Sequence, residues 1–189
     1  MRGSCLAVAA SLAALLAYQP TAEAKPASNG IYTEAGMGAT GFLADMANHG
    51  AVGPSMDIRA GYDLFSWFSV GARIGASTHE ATVPPPPEGE YFQIYTAAAD
   101  GRLGFMYKGF GAFVDGGIGM AMISSNVLAK VGVLDPGEKF AFTFYGGGGL
   151  EYQMLNRHYA FGIAGQYQLF PDFDATQSFG VRLYMRYTY

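Results

Sequence analysis

From Phe179 to Tyr189 the chain alternates. Phe179, Val181, Leu183, Met185, Tyr187 and Tyr189 take every second position, with Gly180, Arg182, Tyr184, Arg186 and Thr188 between them. A period of two is a strand signature, because a helix would spread both sets around its circumference. The pattern recurs upstream. Met56, Ile58, Ala60, Tyr62 and Leu64 alternate with Asp57, Arg59, Gly61 and Asp63. Beyond an aromatic turn at Phe65-Ser66-Trp67, Phe68, Val70, Ala72, Ile74 and Ala76 alternate with Ser69, Gly71, Arg73, Gly75 and Ser77. These two segments predict a hairpin. Five further strands are predicted over Gly30–Phe42, Tyr91–Leu103, Phe110–Met120, Phe140–Glu151 and Tyr159–Leu169. The total is eight.

The predicted connections alternate in length. Long ones cover 43–54, 78–90, 124–139 and 170–178; short ones cover 65–67, 104–109 and 155–158. Pro84 to Pro87 cannot donate to a ladder, which makes 78–90 a loop. Asp135-Pro136-Gly137 marks a turn in 124–139. Aromatics gather beside the short turns: Phe65, Trp67 and Phe68; Phe105, Tyr107 and Phe110; Tyr152, Tyr159, Tyr187 and Tyr189. An even strand count, short turns opposite long loops and an aromatic girdle predict an all-β, antiparallel up-and-down transmembrane barrel.

Composition supports this. Only 14% of the 189 residues are charged, against roughly 25% in soluble domains. A soluble sandwich would expose more charge than these strands carry. The net charge of -4 comes with no basic run, so a nucleic-acid partner has no electrostatic footprint. At the amino terminus, Arg2, the apolar run Leu6 to Ala17 and Ala22-Glu23-Ala24 form the pattern of a signal peptide cleaved after Ala24. The expected division is a signal peptide over 1–24 and one barrel domain over 25–189. Cys5, the one cysteine, falls in the signal. After it no apolar run reaches the 18 residues of a spanning helix, and the other structure that satisfies its backbone in lipid is a closed barrel.

With these features the chain resembles the small eight-stranded outer-membrane β-barrels of Gram-negative bacteria, in the broad OmpA/OmpX/OmpW-like group. The likeness covers nearly all of 25–189. Its most specific part is the last strand, where Gly180, Leu183, Met185, Tyr187 and terminal Tyr189 resemble the family's assembly signal, with Tyr in place of the commoner Phe. The resemblance implies integral residence in the outer membrane, contact with its lipid and lipopolysaccharide, and recognition by the outer-membrane assembly machinery. No peptidoglycan-binding domain follows, so likeness to OmpA stops at the barrel.

The alternation also selects what faces inward. Glu34, Asp57, Asp63, Asp100, Asp115 and Glu151 stand against Arg59, Arg73, Arg102, Arg182 and Arg186, six acids to five arginines with no lysine. Planar arginine forks suit interlocked carboxylates. With the second hairpin turning near Met106 or Tyr107, Asp100 and Asp115 would lie level, and closure would set Arg186 beside Glu34. The expectation is an ion-pair network plugging the lumen of a non-enzymatic barrel, whose external loops meet a surface protein partner. A narrow or gated channel for small solutes is the alternative. A lipid A-modifying enzyme is less favoured: an acyl hydrolase needs a nucleophile beside a base. His79 and Glu80 beside Ser77 come nearest, and they read as a solvated loop edge. No catalytic, cofactor or metal residue is assigned, since no two histidines have ligand spacing. Gly146–Gly149 and Gly116–Gly117 lie in strands without a following helix and are not phosphate loops.

Overall fold

A computed structural model describes residues 30–81, 91–124, 140–154, 158–172 and 176–189. The expected signal peptide, with Ala22 and Ala24, lies outside the described residues, as do 82–90 and 125–139. Eight strands form: β1 (Ile31–Leu43), β2 (Gly53–Phe65), β3 (Phe68–Glu80), β4 (Tyr91–Tyr107), β5 (Phe110–Ile123), β6 (Phe140–Gln153), β7 (Tyr159–Phe170) and β8 (Thr176–Thr188). Each pairs antiparallel with its chain neighbours, and β8 pairs with β1 from Tyr32↔Thr188 to Leu43↔Gln177. The sheet therefore has no edge, and each strand's ladder groups find partners on both sides.

Alternation sorts side chains to the faces that were read from the sequence. Outward Met37, Ile74, Ile118, Leu150 and Leu183 are 61–73% exposed. In water such a surface would be strongly unfavourable; in hydrocarbon it is the required one. Inward Glu34, Arg59, Arg73, Arg102, Asp100 and Asp115 are all buried.

Several boundaries differ from expectation, and each has a local cause. β4 continues through Gly104 to Tyr107, and the turn is Lys108-Gly109. Both turn residues have positive φ, 50° and 85°, as a two-residue type I′ hairpin demands. That shift moves the register: Arg102 lies opposite Asp115, and Asp100 opposite Gly117. The expected level pairing of Asp100 with Asp115 is thus replaced by Arg102 with Asp115. β3 runs to Glu80, because Thr78 and His79 still pair with Gln93 and Phe92. β8 begins at Thr176, so the last connection shrinks to 171–175, no longer than the 154–158 connection at the other end. The first loop carries a short 3-10 turn, Ala44–Asn48.

An arginine on the outward face tests this placement. Leu183→Arg, near mid-belt, should cost about 2–4 kcal/mol in lipid-vesicle unfolding, and Tyr107→Arg at the short-turn rim only about 0–1 kcal/mol.

Candidate functional site: the barrel lumen

The inward face is built around cross-strand glycine–aromatic pairs. Tyr32 lies opposite Gly61, Tyr145 opposite Gly117, Phe113 opposite Gly149 and Tyr184 opposite Gly162. In each pair the ring occupies the space a glycine side chain would need: a Cβ on Gly149 would fall 2.8 Å from Phe113, and one on Gly162 would overlap the Tyr184 ring. Glycine here makes room for a ring laid across its strand. The rings in turn carry guanidinium groups. Arg186 lies 3.8 Å from the Tyr32 centroid, Arg102 4.0 Å from Phe113 and Arg73 4.7 Å from Tyr145. Each such stack adds roughly 0.5–2 kcal/mol, more where water is excluded.

Between the rings the charges interlock. Glu34 reaches two arginines: Arg182 Nη2 at 2.8 Å and Arg102 Nη1 at 3.0 Å. Arg102 also approaches Asp115 at 3.5 Å and Glu151 at 3.6 Å. Arg59 donates from Nε and Nη2 to Asp100 Oδ1, at 2.9 and 2.5 Å. Arg182 Nη1 donates to Asp57 at 2.7 Å. Arg73 bridges Asp115 at 3.4 Å and Asp57 at 3.7 Å and donates to Gln166. Arg186 donates to Asp63. Tyrosines complete the set: Tyr145 donates to Asp100 at 2.5 Å and Tyr184 to Glu151 at 2.8 Å. The contacts of Glu34 Oε2 with Arg102 Nη1 and of Arg182 Nη2 with Glu34 are close charge contacts without aligned hydrogen bonds. Glu34 accepts its aligned hydrogen bond at Oε1, from Arg102 Nη2 at 3.3 Å.

Every lumen residue singled out in the sequence lies within this cluster. Glu34 and Arg186 are neighbours in register, yet the side chains pair diagonally, Arg186 with Asp63 and Glu34 with Arg102 and Arg182. Sequence reading missed the rings beneath the arginines, although the opposition of glycine to Tyr or Phe at inward positions was visible. The network lies between two spaces. A cavity of about 80 Å³ on the long-loop side has Asp57, Arg73 and Arg182 at its floor and Phe42, Ile94 and Phe170 above. A vestibule of about 590 Å³ at the short-turn end reaches inward to Arg102, Arg186, Asp63 and Glu151.

Ser77 and His79 are not a solvated loop edge. His79 is buried, with Nε2 2.9 Å from Ser77 Oγ, inside the barrel beneath Phe42 and Phe92. The 80 Å³ space beside this pair is too small for a lipid substrate. Among the described residues no cluster of three or more His, Asp or Glu side chains is arranged to hold a metal ion.

The glycine–ring packing predicts a contrast. Gly162→Ala should displace Tyr184 from Glu151 and cost about 1–3 kcal/mol on refolding from denaturant. Gly146→Ala, whose Cβ meets nothing within 4 Å, should change stability by less than about 0.5 kcal/mol.

The fold recurs among solved outer-membrane proteins. Neisserial surface protein A matches with TM-score 0.61 at 13% identity, covering 85% of this chain and 97% of that one. Ail, the attachment invasion locus protein of Yersinia pestis, matches at 0.56 and 11% identity, over 86% and 99%. OprG from Pseudomonas aeruginosa matches at 0.56 and 13% identity, over 86% and 97%. At such identities the likeness is one of fold. Among curated proteins no sequence matches this chain. The model of a family described as "Outer membrane protein beta-barrel domain" matches residues 6–187. With its closed eight-stranded barrel, apolar outside and charged inside, this chain belongs to the outer-membrane protein β-barrel domain family.

Proposed function

We propose that this protein is a non-enzymatic barrel of the outer membrane whose lumen is closed by ion pairs, and that it acts through its external loops in a structural or surface-binding role. One observation carries the reading: a continuous set of arginine–carboxylate contacts spans the lumen between the 80 Å³ cavity and the 590 Å³ vestibule. A solute passing through would have to part several buried pairs at once, and separating such a pair costs on the order of 3–5 kcal/mol.

The remaining parts of the proposal follow from the sequence. Residues 1–24 export the chain and leave at Ala22-Glu23-Ala24; Gly180, Leu183, Met185, Tyr187 and Tyr189 present the last strand to the assembly machinery. The outward belt meets lipid and, in the outer leaflet, lipopolysaccharide. A surface role is supported by Ail, a protein of the same fold whose structure was determined with the heparin analogue sucrose octasulfate; the loop partner of this chain is a protein or glycan of the surroundings. The vestibule favours a second reading, a narrow pore for small solutes, because it already opens about 590 Å³ from one mouth to the Arg102 layer.

Planar-bilayer recording of the refolded protein separates the two. The closed-lumen reading predicts no steady conductance from the wild type. Steady wild-type conductance that rises further in Arg102→Gln or Arg186→Gln would establish the pore instead.

A further inference from the structure

The outward belt of β3 runs through Phe68, Val70, Ala72, Ile74 and Ala76 and then gives way to Thr78 and Glu80. His79 therefore lies above the apolar belt, in the long-loop end of the lumen, where it is 1% exposed. Phe42 of β1 and Phe92 of β4 flank its ring, with centroids 4.6 and 5.4 Å away. With Ala81, Ile94, Ala121 and Phe170 these two form an apolar cluster that caps the lumen, and Met46 of the first loop packs against it.

The first loop is fastened to this cap in two ways. One is a backbone bridge between Gly50 and Ala81, in which Ala51 N–H donates to the Glu80 carbonyl at 2.9 Å. The other is a side chain: His79 Nδ1 lies 3.0 Å from the Ala51 carbonyl. A carbonyl only accepts, so Nδ1 carries the proton, and Nε2 is left to accept from Ser77 Oγ at 2.9 Å. One neutral tautomer satisfies both contacts.

A charged ring is poorly matched to this place. β1 and β4 bring the apolar rings of Phe42 and Phe92 against it, and protonation would put a second donor, Nε2–H, where Nε2 now accepts from Ser77 Oγ; the Ala51 carbonyl accepts from the charged ring as from the neutral one. The cavity below is lined by Asp57 of β2, Arg73 of β3 and Arg182 of β8, two cations to one anion, and Asp57 is already bound by Arg182. β7 contributes the neutral Gln166 and Gln168 to the same lining. Glu80 is exposed on the opposite face of β3, and His49 of the loop is exposed as well. Burial pushes the His79 imidazole below its ordinary range, and the bond to Ala51 opposes this only in part.

We propose that His79 is an acid-sensitive latch, which when neutral holds the first long loop over the lumen and when protonated releases it. The device rests on the reading that this end faces the cell exterior only for its biological meaning, not for its operation. Once released, the ring is hydrated and titrates near its ordinary value of about 6.5. The latch is thus fully favoured above that pH and weakens as pH falls below it. The open population rises by at most about tenfold per unit, so by up to about 30-fold at pH 5.

Amide exchange on the full chain refolded in lipid nanodiscs, normalised for intrinsic rates, reads this directly. Between pH 7.5 and 5.0, protection at Gly50 and Ala51 should fall about tenfold or more while mid-strand amides hold. His79→Gln should abolish that pH response and His49→Gln should keep it. Unchanged wild-type protection at pH 5.0, or an equal response in His79→Gln, overturns the latch. Should His79→Gln fold poorly, NMR titration of the wild-type imidazole decides: a midpoint below the ordinary value of about 6.5 supports the latch, and one at or above about 6.5 overturns it. These readouts are independent of bilayer conductance, so the latch and the closed lumen fail separately.

Discussion

Glu34 is where the two demands on this chain meet. It sits on the first strand, fully buried, and its carboxylate is shared between Arg182 on the closing strand and Arg102 on β4. Lipid outside requires apolar outward residues, and a period of two then leaves the alternate positions as the only ones free to be polar. In an eight-stranded barrel those positions converge on a space that side chains must fill. Charges brought there are costly singly and tolerable only in mutual contact. A single carboxylate bridging strands so far apart in sequence couples the seam of the barrel to its opposite wall.

The arginines are held by more than charge. Each of Arg73, Arg102 and Arg186 lies on an aromatic ring, and the ring in turn lies on a glycine of the next strand. This explains an otherwise odd composition, in which 20 of the 27 glycines lie in strands together with many aromatics. Glycine lowers strand propensity, but a ring laid over it restores packing and shields the ladder. Lysine would not serve, since its ammonium cannot lie flat on a ring while meeting two carboxylates. The long-loop end follows different chemistry, with an apolar cap around one histidine.

Much of the barrel was legible because alternation with period two is dense in this chain. Strand number, inward and outward faces and the neighbours Glu34 and Arg186 all follow from it. What was not legible depended on single turns. Lys108-Gly109 lacks the Asn-Gly or Asp-Gly signal of a type I′ turn, so the expected hairpin centre falls too early and sets Asp100, in place of Arg102, level with Asp115. Likewise Thr78, His79 and Glu80 read as loop because the prolines from Pro84 made the whole segment look irregular. In the fold, cross-strand pairing to Phe92 and Gln93 continues past the end of the apolar belt. The diagonal ion pairs were beyond sequence, because they depend on how long side chains cross a closed interior.

The central claim is that Glu34 and its arginines act as one coupled unit. A double-mutant cycle on Glu34→Gln and Arg182→Gln, measured by denaturant unfolding in lipid vesicles, tests it most directly. The account predicts a favourable coupling of at least about 1.5 kcal/mol. Additive effects, with coupling below about 0.5 kcal/mol, would contradict it.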